Sequence, residues 1–262
     1  MVRIKLFVGK TIEENAGIYF ERIKKLKGKL DGAKNALVQS KVKLKELETR
    51  KIAEEKSKYS QHTKPLKKEW YEKFRWFRSS EGFLVIGGRD ASTNDILIKK
   101  FTENNDIVFH TEMAGSPFFV VKSDNKPIGK QTIQETADAT ASFSKAWKLG
   151  LSSTEVYNVN PEQVSKKAPT GEYITKGAFM IYGKKNNIDN SINLAVGMND
   201  EGKIFCAPLS AVKANSKAYM EILHGDKKPS EIAKMLQKII GGSLDDIIRA
   251  LPSGGCKIKK EK

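Results

Sequence analysis

Between Lys64 and Arg78 the chain reads KPLKKEWYEKFRWFR, with cationic and aromatic side chains interleaved. Lysine and arginine neutralise phosphates and aromatic faces stack on unpaired bases, so a segment rich in both suits a nucleic-acid surface. Trp70, Phe74 and Phe77 also fall at i, i+4 and i+7, the spacing of the buried stripe of a short helix. Tyr71, Arg75, Trp76 and Arg78 lie off that stripe and stay available for contact. Downstream, GGRDAST (Gly87 to Thr93) puts Arg89 and Asp90 on a tight turn. A guanidinium there suits bidentate contact with phosphate, Asp90 orienting it, or an internal salt bridge. The turn has neither the lysine and spacing of a Walker element nor GxGxxG.

Alternation along a strand places His110 and Glu112 on one face, the arrangement of an acid/base pair. No nucleophile or metal constellation accompanies them, so a hydrogen-bonded structural histidine is the better reading. Cys206, Cys256, His62, His110 and His224 are scattered without metal-ligand spacing, and no metal or cofactor is expected. Gln163 to Asn186 carries Lys166, Lys167, Lys176, Lys184 and Lys185 around Gly171, Gly177 and Gly183. Turns that project lysines suit phosphate contacts, the alternative being a solvated surface.

The elements that must hold these groups are readable in outline. Thr11 and Glu14 form a capping box. After it Ala16, Tyr19, Ile23, Leu26, Leu30, Ala33, Leu37, Ser40, Leu44 and Leu47 alternate by three and four, a heptad seam on a helix from about Thr11 to Tyr59. Such a seam needs a partner, a protein or a second copy. Pro65 marks the break before a globular domain. There, strands are expected at Phe83–Ile86, Ile107–His110, Phe118–Lys122, Val156–Val159, Ala178–Tyr182, Ile192–Val196, Lys203–Ala207 and Tyr219–Leu223. A helix capped by Ser92 or Thr93 and one from the Thr132/Glu135 capping box to about Leu149 are interspersed, and Pro229 and Asp245 open two more.

This pattern gives the fold class α+β: a long N-terminal coiled-coil helix, then a mixed or antiparallel sheet domain with packed helices. The segments are 1–63 (basic coiled coil), 64–252 (globular domain with C-terminal helices) and 253–262 (flexible basic tail). The formal net charge of +16 is unevenly placed, with 22 basic and 10 acidic residues in 1–80 against 25 and 21 thereafter. That asymmetry predicts a polyanionic partner and salt-sensitive binding. Neither a signal peptide nor a membrane span is expected, and two lone cysteines fit a reducing, cytoplasmic compartment.

The strings WYEKFRWFRSSEGFLVIGGRDASTND, FHTEMAGSPFFVVK and PEQVSKKAPTGEYITKGAFMIYGKKN closely resemble the NFACT-R RNA-binding domain of the ribosome quality-control factor family. ENAGIYFERIKKLKGKLDGAKNAL resembles the start of that family's middle coiled coil, and DIIRALPSGG is similar to archaeal members. The resemblance implies a non-enzymatic, ribosome-associated protein that binds tRNA and the large ribosomal subunit with its rRNA. It further implies support for rescue of stalled nascent chains and untemplated C-terminal tailing. The family's NFACT-N and helix-hairpin-helix portions, with their Asp-Arg motif, do not occur in this sequence, so tailing by this chain alone is not expected. Arg75, Trp76, Arg78, Arg89, Asp90, His110, Lys166, Lys167, Lys184 and Lys185 are the candidate nucleic-acid contacts. Two alternatives remain open: an RNA-processing enzyme using His110, Glu112 and Asp90, and a stand-alone RNA-binding adaptor.

Overall fold

The computed structural model describes residues 4–60, 68–167 and 174–259, with side chains on the first helix described through residue 44. Lys64, Pro65, His62 and Gly171, named above, lie outside the described residues. The chain forms two compact units, Met1–Leu66 and Lys67–Lys262.

The described part of the first unit is a short segment followed by the helix α1 (Ile12–Ser60). Its start is the capping box read from the sequence: the Thr11 N–H donates to Glu14 Oε2 at 2.9 Å, and the Glu14 N–H donates to Thr11 Oγ1 at 3.3 Å. Asn15 clasps the preceding segment, accepting from the Phe7 N–H at 2.8 Å and donating to the Phe7 carbonyl at 3.1 Å. At about 1.5 Å per residue, 49 residues extend roughly 74 Å. Ile23, Leu26, Leu30, Leu37 and Leu44 of the seam are exposed.

The second unit opens on a single 3-10 turn, Trp70–Lys73, followed by strand β1 (Arg75–Arg78), rather than a helix through Phe77. Glu69 and Glu72 close that one turn, and the backbone is already extended at Phe74. Phe74 and Phe77 are buried as the stripe required, but on opposite faces of a sheet. Trp70 stays exposed, stacked on Phe101 at 4.7 Å.

The chain continues through β2 (Leu84–Gly87), α2 (Ala91–Lys100), β3 (Ile107–Thr111), β4 (Phe119–Val121), α3 (Lys130–Ser142) and α4 (Lys145–Leu149). Next come β5 (Val156–Val159), β6 (Val164–Ser165), β7 (Met180–Ile181), β8 (Asn186–Ile188), β9 (Leu194–Met198) and β10 (Ile204–Ala207). It ends with α5 (Leu209–Asn215), β11 (Ala218–Lys227), α6 (Pro229–Ile240), α7 (Leu244–Ala250) and β12 (Cys256–Ile258). One sheet has the order β1-β2-β4-β3-β5-β8, a second β10-β9-β11-β12, and β6 pairs β7. The pairings of both sheets are antiparallel, an α+β arrangement.

Period-two alternation sorts the six-stranded sheet between two cores. Phe77, Val85, Phe109, Phe119, Val121 and Val156 join one core with α3, Trp147 and the second sheet. Leu84, Ile86, Val108, Val120, Tyr157 and Val159 face the other core with Phe74, Phe118 and Leu97 of α2.

Three local expectations differ. Asp90 caps α2 in place of Ser92 or Thr93, accepting from the Thr93 N–H at 2.8 Å. Gly129 precedes α3, while Thr132 and Glu135 are buried within it and reach across the 79–81 turn. The Thr132 hydroxyl donates to Glu81 at 2.5 Å, and Glu135 accepts from the Ser80 N–H at 2.9 Å. The helix then breaks at Ser144, whose hydroxyl accepts from the Ala146 N–H to cap α4.

The stretch expected as a flexible tail contains β12, which pairs with β11 and buries Cys256. Alternation of Cys256, Lys257 and Ile258 suits that otherwise open sheet edge. Among the described residues no helix is long and apolar enough to cross a membrane.

Candidate nucleic-acid interface

A cleft of about 540 Å³ lies where the β2–α2 turn, the β3–β4 connection, the start of α4 and the 175–179 segment converge. The turn is shaped by its own residues. A Cβ on Gly88 would fall 1.8 Å from Asn94 Oδ1, so only glycine fits there, and the Gly88 N–H donates to the Phe118 carbonyl at 2.9 Å. Thr93 Oγ1 accepts from the backbone N–H of both Arg89 and Asp90, at 2.8 and 2.9 Å. Arg89 is thereby aimed away from α2, and its Nη2 donates to the Phe74 carbonyl at 2.8 Å.

Arg75 and Arg89 meet at the end of α7. Arg89 donates to the Arg249 carbonyl, and Arg75 Nη1 donates to Ala250 and Leu251 at 3.2 and 3.1 Å. Carbonyls at a helix C-terminus lack intrahelical partners and carry partial negative charge, so cations collect there. Arg75 also lies over the Phe143 ring, 4.3 Å from its centroid. Burial pulls Arg75 down to about 10, with the charge of Arg89 adding to the shift. Burial likewise pulls Arg89 to about 10, helped by Arg249 and opposed by Asp90. Arg89 Nε is buried without an acceptor.

Lys145 and Lys148 stand on the exposed side of α4, three residues apart, while Ala146 and Trp147 are buried. Lys176 rises from the 175–179 segment. The cleft thus carries Arg75, Arg89, Lys145, Lys148 and Lys176 against Asp90. Asp90 is held low by the Thr93 N–H and hydroxyl in its capping role. Among the described residues none of the five cations makes an ion pair.

Of the residues singled out from the sequence, Arg75, Arg89, Asp90 and His110 are brought together here. Trp76 and Arg78 line a separate hollow of about 350 Å³. There Trp76 stacks on Phe205 at 5.9 Å, Arg78 donates to the Gly82 carbonyl at 3.1 Å, and Lys217 pairs with Asp200 at 2.9 Å. Lys166 is engaged by Asp95 and the carbonyls of Thr175 and Ala178. Lys185 pairs with Glu112 at 2.5 Å. Lys167 and Lys184 are exposed and make no ion pair among the described residues.

The acid/base trio is divided among other tasks. His110 stacks on Phe118 at 4.1 Å, with Nε2 3.2 Å from the Ser116 carbonyl. Glu112 faces Lys185 and Asp90 caps α2. Lys145 and Lys148 are not among the sequence candidates because helical spacing continues to about Leu149 and sets both at the end of one longer helix. The signal for them was Ser144, an N-cap residue just before KAWK.

Residues 73–183 match the family model of the NFACT protein RNA binding domain, a span that includes Arg75, Arg89, Lys145, Lys148 and Lys176. The archaeal Rqc2 homolog aRqcH of Methanocaldococcus jannaschii is 40% identical over 210 residues, 77% of this chain and 31% of that protein. The ribosome quality control complex subunit NEMF of Homo sapiens is 40% identical over 142 residues, 54% of this chain and 13% of that protein. The C-terminal part of the fibronectin/fibrinogen-binding protein from Streptococcus suis shares 20% identity at a TM-score of 0.38, over 69% of this chain and 77% of the other. This chain therefore spans less than a third of the archaeal relative and a smaller share of the human one. It carries an NFACT-R RNA-binding domain and is homologous to part of the archaeal aRqcH and of NEMF.

Proposed function

We propose that this chain binds RNA through the basic cleft, without catalysing a reaction, as a cytoplasmic component of ribosome-associated quality control that engages tRNA and the large ribosomal subunit. The observation that carries the reading is the charge of the cleft: five cations that make no ion pair among the described residues face one carboxylate already engaged in capping a helix. A surface of that kind attracts phosphates and releases counterions on binding. The match of residues 73–183 to an RNA-binding family supports RNA as the polyanion. The ribosome quality control relatives support the ribosomal setting and, through it, a part in rescue and C-terminal tailing of stalled chains. The tasks held by His110, Glu112 and Asp90 favour the binding reading over an RNA-processing enzyme.

The test is cosedimentation of the whole chain with large subunits, alongside tRNA binding by fluorescence anisotropy, each at two salt concentrations. Wild type is expected to bind both and to weaken steeply with salt. The Lys145→Ala/Lys148→Ala/Lys176→Ala variant is expected to bind at least about tenfold more weakly, since each lost phosphate contact removes a counterion-release term. Equal affinities for wild type and variant overturn the assignment of the cleft.

A further inference from the structure

We propose that the cleft is a phosphomonoester site, taking the terminal phosphate of an RNA strand or the phosphate of a free nucleotide in preference to an internal phosphodiester. This rests on the reading of the cleft as the RNA interface and names the chemical group it selects.

The floor of the cleft is a pair of guanidiniums held from behind by carbonyls. Phe74 and Arg249 hold Arg89, while Ala250 and Leu251 hold Arg75. Neither guanidinium makes an ion pair among the described residues, and each lies in the electrostatic reach of another arginine, with Asp90 partly offsetting Arg89. Arg89 Nε remains a buried donor with no acceptor. Two adjacent guanidiniums, offset only by the Asp90 carboxylate that already caps α2, are matched by one compact group carrying more than one charge and several acceptor oxygens. A phosphomonoester carries about −1.5 to −2 at neutral pH and offers three terminal oxygens, whereas an internal diester offers one charge and two. Lys145, Lys148 and Lys176 around the mouth add charge that a single diester would leave unmatched.

The rings of the cleft argue against an inserted base. Phe143 lies beneath Arg75, and Phe118 lies between His110 and Phe179. Phe179 in turn lies beneath the Lys166 ammonium at 4.6 Å. Each ring already has a face or edge engaged within the protein, while the five cations make no ion pair among the described residues. The unmet demand is for charge rather than stacking.

The experiment compares the full chain binding one internally labelled single-stranded RNA made with hydroxyl ends, with a 5′-phosphate, or with a 3′-phosphate. One phosphorylated form is expected to bind about tenfold more tightly than the hydroxyl form, the order expected for a bidentate charge-assisted contact. Arg89→Lys keeps the charge but loses the fork, and is expected to abolish that preference. Nucleoside monophosphate that displaces the phosphorylated RNA at comparable concentration assigns the site to free nucleotides, and failure to displace it assigns the site to strand ends. Equal affinities for all three RNAs in wild type, a comparison that needs no variant, overturn the proposal. A preference retained in Arg89→Lys overturns its placement on the guanidinium pair. If the three RNAs bind equally and Lys145→Ala/Lys148→Ala weakens them all, the cleft is the RNA interface without end selectivity. If that pair of substitutions changes nothing, the RNA reading of the cleft falls as well.

Discussion

The Lys166 ammonium lies 3.1 Å from the Asp95 carboxylate, which also accepts from the Gly177 N–H at 2.9 Å. Burial raises the Asp95 pKa, but hydrogen bonds from Lys166, Gly177 and Lys99 outweigh it and leave the carboxyl below its ordinary value. Lys166 therefore fastens the segment that carries Lys176 to helix α2. Lys166→Ala is expected to lower stability by about 0.5–1 kcal/mol, as a partly exposed pair allows, and to leave RNA affinity within about twofold. Lys176→Ala should do the reverse. Thermal melts alongside anisotropy separate the two, and a larger RNA defect in Lys166→Ala would contradict the assignment.

The lysines of the cleft give a prediction for salt dependence. Each lysine removed from the set Lys145, Lys148 and Lys176 should reduce the slope of log affinity against log salt by about 0.7 for single-stranded RNA if it meets one phosphate. The slope of the triple variant should fall by about 2, measured by titration from low to moderate salt. An unchanged slope would mean that these lysines touch no phosphate.

Gly177 holds a backbone angle of φ +81°, and a Cβ built there would sit 2.4 Å from Ala91 Cα. Gly177→Ala thus combines a left-handed conformation with contact against the backbone at the start of α2. A loss of about 2 kcal/mol is expected, visible in thermal or urea unfolding.

His110 gives a pH dependence with a defined sign. Burial lowers its pKa below 6.5, against hydrogen bonds at Ser116 and Thr111 that raise it. The unfolded chain binds the proton first, so stability is level above the unfolded value and declines as pH falls through 6.5. His110→Gln should show a shallower decline between pH 7.5 and pH 5 in thermal unfolding. An identical profile would place the acid sensitivity elsewhere.

Removal of residues from Gly254 onward takes away β12, the buried Cys256 and the Gly255 carbonyl to which Trp147 Nε1 donates at 3.1 Å. The truncated chain is expected to lose about 2 kcal/mol or more, roughly 4–8 °C for a domain of this size. A melting temperature unchanged by the truncation would restore the picture of a detached tail.

Alternation and caps made much of the second unit legible. Leu84, Val85 and Ile86, or Phe119, Val120 and Val121, sort to opposite cores because successive strand side chains point to opposite faces. The Thr11/Glu14 box marked the start of α1 because both partners lie within one turn. The identically spaced Thr132 and Glu135 misled because Ser79, Ser80 and Glu81 compete for the same side chains across the fold.

The sequence by itself determined a basic, α+β chain suited to a polyanionic partner, since charge, periodicity and capping act over a few residues. Tertiary structure alone decided which cations share a cleft. Arg75 finds its carbonyl partners about 175 positions further along, at the end of α7. Lys145 and Lys148 line the same cleft from a separate helix that starts where α3 ends at Ser144, while Lys166 pairs with Asp95. Local spacing cannot encode these outcomes, because each depends on which partner burial brings within a few ångströms, where charges and donors begin to decide one another's state.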